Sequence, residues 1–170
     1  MEGQEDKKAT SNPAKSLEVF FSYAHKDEKW RKELEKHLSL LKRQGLIAGW
    51  NDREIGAGKE WKQEIDTHLK TAHIILLLIS PDFMVSDFCY GIEMKRAMKR
   101  HNAGEARVIP IILHEVDWKK APFGKLQALP TDGKAVTSWS NRNQALLNVA
   151  TGIRKVVEEL IKNSRLRKYP

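Results

Sequence analysis

The sequence is poor in the cysteines that cross-link a fold and in the long apolar runs that anchor a protein in a membrane. It has one cysteine, Cys89, among 170 residues, which excludes an intramolecular disulfide and every multi-cysteine metal motif. A lone cysteine suits a reducing compartment and predicts a cytoplasmic protein. The longest apolar run is far below the roughly 20 residues that span a bilayer, and the polar N-terminus lacks a signal-peptide core. No membrane contact is therefore expected.

Metal and nucleic-acid sites are also poorly supported. The six histidines include no pair at metal-ligand spacing, so no metal site is predicted, although His25 and His114 both follow strand-like segments. Thirty Lys and Arg against 22 acidic residues give a net charge of +8, which permits weak binding to polyanions. No aromatic residues are interleaved with the basic stretches, so a solvated surface is favoured over nucleic-acid recognition.

Composition along the chain predicts one folded domain between two tails. Residues 1–16 are polar and lack periodicity, which predicts a disordered tail or an expression remnant. Residues 17–163 carry the apolar periodicity of a single domain, which at this length buries a core without disulfides or metal. Residues 164–170 form a short basic C-terminal tail, which would connect to a further domain if the chain is part of a longer receptor.

Apolar strand-like segments alternate with amphipathic helical ones. The predicted strands are 17–23, 46–50, 74–79, 108–113 and 135–137, and the predicted helices are 30–41, 61–69, 83–100, 121–128 and 146–160. This alternation predicts an α/β single domain with a flavodoxin-like, doubly wound, five-stranded parallel sheet of order 2-1-3-4-5 and helices on both faces. Pro110 predicts that the fourth strand tolerates one lost amide hydrogen bond.

The third predicted strand, Ile74 to Ile79, is followed by a carboxylate. It is apolar on both faces, as in parallel sheets covered by helices, and Ser80-Pro81 ends it. Ligands of such sheets bind in the crevice at the carboxyl ends of the strands. Glu93 follows one short loop and two helical turns later, so it is expected beside this crevice.

Three familiar kinds of site are not supported. Gly56-Ala57-Gly58-Lys59 lacks the Gly six places before the Lys and the Ser or Thr after it that a phosphate-binding loop requires. A phosphoacceptor domain of this architecture carries Asp at the end of the third strand, where this chain has Ser80. No Gly-x-Ser-x-Gly nucleophile elbow surrounds Ser22, Ser80 or Ser86, so hydrogen-bonding or capping roles are favoured for these serines.

Three segments, in order and spacing, carry a family resemblance. They are Val19-Phe20-Phe21-Ser22-Tyr23, Asp52-Arg53-Glu54-Ile55-Gly56-Ala57-Gly58, and Ser80-Pro81-Asp82-Phe83 through Ser86-Asp87-Phe88-Cys89 to Glu93. From Leu17 to about Leu160 the chain resembles the Toll/interleukin-1 receptor (TIR) domain family, particularly its bacterial, NAD-cleaving branch. In the order given, the three segments resemble the family's first-strand box, the loop after its second strand and the segment that carries its catalytic Glu.

The resemblance implies an enzyme that splits NAD+ into nicotinamide and ADP-ribose, or a cyclic ADP-ribose isomer. NAD+ is the substrate, and no cofactor is expected. Glu93 would be the catalytic residue. The predicted substrate-binding residues are Ser22, Tyr23, Ala24, His25, Asp52, Arg53, Ile55, Gly56, Ser80, Phe83 and Cys89. Trp50, Phe83 and Trp118 are candidates for ring stacking, with core packing as the favoured role.

The sequence departs from the family pattern at two places. Enzymes of the family often carry Trp one helical turn before the Glu, where this chain has Cys89. Many carry basic residues after the first-strand Ser-Tyr, where it has Ala24 and His25. The resemblance further implies self-association through TIR-TIR contacts, a sensor domain in the full-length protein and a role in immunity against phage. The alternative function is a non-catalytic adaptor or virulence mimic that binds other TIR domains.

Overall fold

The computed structural model describes residues 16–168 of the chain, with side chains through residue 164. Four strands lie in this range: β1 (Leu17–Ser22), β2 (Ile47–Trp50), β3 (Ile74–Ile79) and β4 (Arg107–Ile112). Between and after them lie α1 (Glu28–His37), α2 (Ser39–Arg43), α3 (Trp61–Thr71), α4 (Pro81–Met84), α5 (Asp87–Tyr90), α6 (Ile92–Asn102) and α7 (Arg142–Lys168). The alternation of strands and helices gives an α/β domain, as predicted.

The strands form one parallel sheet of order β2-β1-β3-β4. Its centre is β3, whose six residues are all fully buried. Side chains of a strand alternate between the two faces of the sheet, so β1 and β3 contribute side chains to two separate hydrophobic cores. Phe21 and Leu76 face α1, α2 and α7, whereas Phe20 and Ile75 face α3, α5 and α6. Helices therefore cover both faces of the sheet.

Pro110 lies on the outer side of β4, as its missing amide proton predicts. The amides of Arg107 and Leu113 donate toward β3 and its flanking residues, so the intervening even-numbered positions face the outer edge. There the Val108 amide donates to His101 Nδ1 at 3.0 Å, and the Ile112 amide donates to the Leu129 carbonyl at 2.8 Å. Pro110 stands between these two positions and has no proton to donate.

The predicted fifth strand, 135–137, is not a strand. This segment belongs to a 3₁₀ turn, Val136–Ser138, and Leu129 alone bridges the outer edge of β4. Ala135 and Val136 are buried, so their apolar character reflects burial rather than pairing. The described sheet therefore has four strands instead of five.

Two predicted helices also differ from the structure. Residues 121–128 contain no helix: 122–125 form turns closed by hydrogen bonds such as Gly124 N to Ala121 O, and 127–128 are irregular. A Cβ on Gly124 would lie 2.0 Å from the Lys119 carbonyl oxygen, so this tight turn needs glycine. The single helix predicted for 83–100 is divided into α4, α5 and α6, with Ser86 capping α5 as expected.

The predicted boundaries fall partly outside what the structure describes. The disordered tail predicted for residues 1–16 lies, apart from Ser16, outside the described residues. At the other end α7 continues through Lys168, past the domain boundary predicted at residue 163. No helix in residues 16–168 is both long enough and apolar enough to cross a membrane.

Acid is expected to weaken the outer edge of β4 through His101. Burial and the nearby Arg107 lower the pKa of His101 below its usual value of 6.5, and its unprotonated Nδ1 accepts the Val108 amide. The unfolded chain then binds more protons than the folded one, so stability falls as the pH decreases through about 6.5. Loss of this acceptor costs about 1 kcal/mol, which lowers the melting temperature by roughly 2–4 °C.

Thermal melts at pH 7.5 and 5.5 measure this effect. The variant His101→Asn is the control, because the Asn oxygen accepts the same amide at every pH. It should retain only the smaller sensitivity due to His73, whose pKa is also lowered by burial and whose Nδ1 accepts the Glu18 amide. Equal pH dependence of the wild type and His101→Asn would contradict the assignment.

Candidate functional site

The parallel strands bring the segments that follow them to one edge of the sheet. Ser22, Trp50, Ile79 and Ile112 are the last residues of the four strands. All residues predicted from the sequence as substrate-binding lie within or just beyond the ends of β1, β2 and β3. This edge is therefore the candidate active site.

The segments after β1 and β2 meet at His25 and Asp52. His25 Nε2 lies 3.1 Å from Asp52 Oδ2, and the exposed Trp61 stands edge-on to the His25 ring, with centroids 6.0 Å apart. The second Asp52 oxygen, Oδ1, is buried and has no hydrogen-bond partner among the described residues. Two predicted residues are thus brought together, and one carboxylate oxygen remains available to a donor.

Tyr23 is held by a charged network that the sequence analysis did not identify. Its hydroxyl donates to Glu28 and lies 3.5 Å from Asn51 Oδ1. Arg31 pairs with Glu28 and with Glu35, and its guanidinium lies 5.6 Å from the centre of the Tyr23 ring. The spacing of Glu28, Arg31 and Glu35 at three and four residues was the available signal. The network fixes the ring and occupies the hydroxyl.

The same network sets the ionisation of its members. Burial, followed by the hydrogen bond to Glu28, raises the pKa of Tyr23 above its usual value, so the phenol is neutral at physiological pH. Burial alone would raise the pKa of Glu28, but the hydrogen bonds from Tyr23 and Arg31 outweigh it and lower that pKa. Tyr23 is therefore a buried, neutral residue whose ring and hydroxyl are both fixed by neighbouring side chains.

Asn51 anchors the start of the loop after β2. Its Oδ1 accepts the Arg53 amide at 2.9 Å, and its Nδ2 donates to Glu54 at 3.1 Å. Arg53 Nε lies 3.6 Å from Glu28 Oε1, which ties the loop to the Tyr23 network. Ile55 is half-buried against the core, whereas residues 56–60 are exposed. The near half of the loop is fixed, and its glycine-containing half projects into solvent.

Ser80 and Phe83 are buried rather than exposed to a substrate. Ser80 is 1% exposed, and its hydroxyl donates to the buried Asp27 while accepting the Phe83 amide. The Phe83 ring is 1% exposed and packs against Phe88 and Phe123. The structure thus gives Ser80 a role in joining the segments after β1 and β3, and gives Phe83 a role in the core.

Cys89 also lies in the core. It is fully buried beside α6, and burial raises the pKa of its thiol, which favours the unreactive protonated form. Its neighbour Phe88 stacks on Phe20, with ring centroids 6.2 Å apart, and Phe20 in turn contacts Trp50. An aromatic side chain therefore covers this side of the site from the position next to Cys89.

The other stacking candidates have structural partners. Trp50 is 8% exposed and stacks on His68 at 4.0 Å. Trp118 is half-buried and packs against the core. His114 stands edge-on to Trp30 rather than beside a predicted site residue. Core packing, the role favoured from the sequence for Trp50 and Trp118, fits both positions.

Glu93 is the second residue of α6 and is half-buried. It forms no hydrogen bond or ion pair with any other residue whose side chain the structure describes. A Cβ built on Gly91 would lie 3.2 Å from Glu93 Oε1 and 2.5 Å from the Asp87 carbonyl oxygen. Glycine at this position thus lets α5 and α6 meet closely with the carboxylate alongside.

The segments after β1 and β2 carry a histidine-aspartate pair and a neutral tyrosine, and the Glu93 carboxylate lies in the first turn of α6. No group of three His, Cys, Asp or Glu side chains in the described part of the chain is placed to hold a metal ion. Glu93 has no cationic partner among the described side chains, so its carboxylate is free to interact with positive charge on a ligand. The arrangement suits electrostatic stabilisation of a cation rather than metal-assisted chemistry.

One known protein is similar over most of the chain. An uncharacterised protein, y4lF, of Sinorhizobium fredii (strain NBRC 101917 / NGR234) is 58% identical over 137 residues, which cover 81% of this chain. The chain spans 42% of the length of that relative.

Two solved structures are similar at a lower level. The TIR domains of the activated Roq1 resistosome, which recognises the pathogen effector XopQ, give a TM-score of 0.45 at 21% identity and cover 56% of this chain and 57% of that one. The TIR domain of the Toll-related receptor TRR-2 from Hydra magnipapillata gives 0.40 at 19% identity, with 59% and 74% covered. Both TM-scores are too low to establish a shared fold by themselves.

The family model described as TIR domain matches residues 19–147, which include β2, β3, β4, most of β1 and every predicted site residue. This match extends over most of the chain and ends within α7. The chain therefore belongs to the TIR-domain family.

Proposed function

We propose that this TIR domain cleaves NAD+ at the nicotinamide-ribose bond, with Glu93 as the catalytic residue. The observation that carries the proposal is the half-buried Glu93 carboxylate in the first turn of α6, which has no cationic partner among the described side chains. The chain reaches α6 from the carboxyl end of β3, and parallel sheets bind their ligands at that edge. The products are nicotinamide and ADP-ribose, or a cyclic isomer if an atom of the substrate replaces water.

The chemistry needs only one carboxylate. Nicotinamide in NAD+ is already a cationic leaving group, so it departs with the bonding electron pair and requires no general acid, unlike the leaving groups of ordinary glycosides. The ribose carbon then develops oxocarbenium character, which a nearby carboxylate stabilises. Water adds its oxygen to this carbon and releases one proton. Preorganised stabilisation of this kind contributes several kcal/mol.

The remaining residues fit supporting roles in this proposal. Tyr23, fixed by Glu28 and Arg31, would form a wall beside the nicotinamide ring. The unpaired Asp52 Oδ1 would accept a ribose hydroxyl after a small shift of the loop. The exposed residues 56–60 would close over the bound substrate. Ser80, Phe83 and Cys89 would support the site from within the core.

We further propose that activity depends on self-association. The chain covers 42% of the length of its Sinorhizobium relative, so a sensor region elsewhere in a longer protein would bring TIR domains together. The exposed loop residues 56–60 would then meet a neighbouring copy. In the cell, this reaction would deplete cytoplasmic NAD+ or produce a signal during defence against phage.

Nicotinamide release tests the proposal. Purified protein is incubated with NAD+ either in dilute solution or clustered on a support through a C-terminal tag, and the products are separated by chromatography. The expected result is nicotinamide release that increases on clustering, together with ADP-ribose or a cyclic isomer. Absence of nicotinamide from the clustered protein would overturn the enzymatic proposal.

A second function, as a non-catalytic adaptor or virulence mimic, is favoured by one observation. Val85, Tyr90 and Ile92 are large apolar residues that are 81%, 62% and 52% exposed, and all lie between the end of α4 and the start of α6. Such a surface fits contact with another protein. Binding to a second TIR domain without nicotinamide release would support this function instead.

A further inference from the structure

A groove runs along the side of α6. Its volume is about 720 Å³, within the range of small-molecule sites. Met94 and Met98 line it from the helix, Ala103 closes one end, Tyr90 borders the other, and Pro122 stands opposite. Pro122 belongs to the turns at residues 122–125, where a helix was predicted.

This groove is distinct from the candidate active site. Glu93, Arg96 and Arg100 do not line it; Arg96 pairs with Asp66 of α3, and Arg100 donates to the Leu69 carbonyl there. The α6 residues that line the groove are spaced four positions apart, so they form another face of the helix. The two sites share only the junction between α5 and α6.

The lining combines an apolar floor with a cationic rim. The two methionines are flexible and polarisable, so they adapt to apolar bodies of different shape. Lys95 and Lys99 are exposed, line the groove and have no ion-pair partner among the described side chains. No Asp or Glu is among its described lining residues. The unmatched charge of the rim is therefore positive.

We propose that this groove binds a small soluble amphipathic anion, with an apolar body of one or two rings and a single carboxylate, sulfonate or phosphate group. The apolar body lies against Met94 and Met98, and the anionic group lies between Lys95 and Lys99. A concave site of this volume encloses a small molecule, whereas a membrane surface needs a protruding apolar face. The site stands independently of NAD+ cleavage.

Fluorescence titration with anilinonaphthalene sulfonate (ANS), an anionic two-ring probe, tests the proposal on the full chain. We expect saturable binding of one ANS per chain. The double variant Lys95→Gln/Lys99→Gln replaces each ammonium group by a neutral amide on a slightly shorter side chain, so it should weaken ANS binding about fivefold. The matched control, Lys29→Gln/Lys32→Gln on α1, removes the same charge from exposed lysines elsewhere and should leave the affinity unchanged.

A further variant locates the probe. Ala103→Phe fills the end of the groove and should abolish binding of both ANS and its uncharged analogue phenylnaphthylamine, which the lysine variants should not affect. Circular dichroism melts confirm that each variant is folded.

Other results would overturn the proposal. Binding of ANS that does not saturate would indicate general apolar exposure rather than a site. Equal ANS affinity in the wild type and the Lys95→Gln/Lys99→Gln variant would contradict the proposal that the ligand is an anion. Unchanged binding in a folded Ala103→Phe variant would show that ANS binds outside the groove. Sedimentation with anionic phospholipid vesicles, lost in the same lysine variant, would assign this face to a membrane instead.

Discussion

Glu93→Gln is expected to reduce the rate of nicotinamide release from the clustered protein by at least about 100-fold. The variant keeps the shape of the side chain and removes the negative charge that would stabilise the oxocarbenium ion. Removing one preorganised electrostatic group from an active site typically costs a factor of about 100 to 1,000 in rate. Because Glu93 makes no ion pair with a described side chain, little effect on stability is expected.

The matched control is Glu64→Gln. Glu64 is also a half-buried glutamate in the first turn of a helix, in this case α3, and the substitution removes the same charge. Its nicotinamide release should stay close to that of the wild type, and both variants should melt within a few degrees of it. If Glu93→Gln released nicotinamide as fast as Glu64→Gln, another residue would have to supply the stabilising charge.

Gly91→Ala is expected to lower both stability and activity. The added Cβ would lie 2.5 Å from the Asp87 carbonyl oxygen, a contact that backbone atoms relieve only by moving apart. Overpacking of this kind costs about 2 kcal/mol and should lower the melting temperature by roughly 4–8 °C. The same shift moves α6 relative to α5, so Glu93 is displaced and nicotinamide release should fall at least about tenfold.

Gly56→Ala provides the steric control for stability. A Cβ at Gly56 has one neighbour within reach, Lys59 Cγ at 3.9 Å, and neither glycine has the positive φ that disfavours alanine. Both substitutions restrict the unfolded chain equally, so the difference between their melting temperatures isolates the contact with Asp87. Melting temperatures that agree within error would show that the junction tolerates a side chain.

The sheet could be predicted from the sequence because its signals are local. The run Ile74 to Ile79 is apolar throughout, and the structure gives a strand with these bounds, buried on both faces. Pro110 indicated a strand position without an amide donor, and it lies on the outer side of β4. In each case a property of a few consecutive residues decided the outcome.

The failures come from contacts between residues distant in sequence. Ala135 and Val136 are apolar because they are buried, and their sequence does not reveal that Leu129 takes the place beside β4. The predicted helix over 83–100 is interrupted at Gly91, whose extended backbone begins α6 afresh. A helical period continues across such a break, so apolar spacing alone did not reveal it.

The candidate site shows the same division. The carboxyl ends of parallel strands meet at one edge, so the proximity of the segments after β1 and β2 was predictable, and His25 meets Asp52 there. The burial of Ser80 and Phe83 was not, because it depends on Asp27 and Phe123 from distant parts of the chain. The hydrogen bond from Tyr23 to Glu28 could not be predicted either, because it depends on the orientation of the Tyr23 ring, which sequence periodicity does not determine.

The outer edge of β4 restricts how copies of this domain can join. Of its three outward positions, Val108 donates to His101, Pro110 has no amide proton, and Ile112 donates to Leu129. A strand from another molecule would find no free backbone N–H donor at these three positions. The sheet therefore cannot continue from one molecule into the next at this edge. Contacts between copies at the β4 edge would therefore have to use helices and loops, which leaves the pairing of β4 intact.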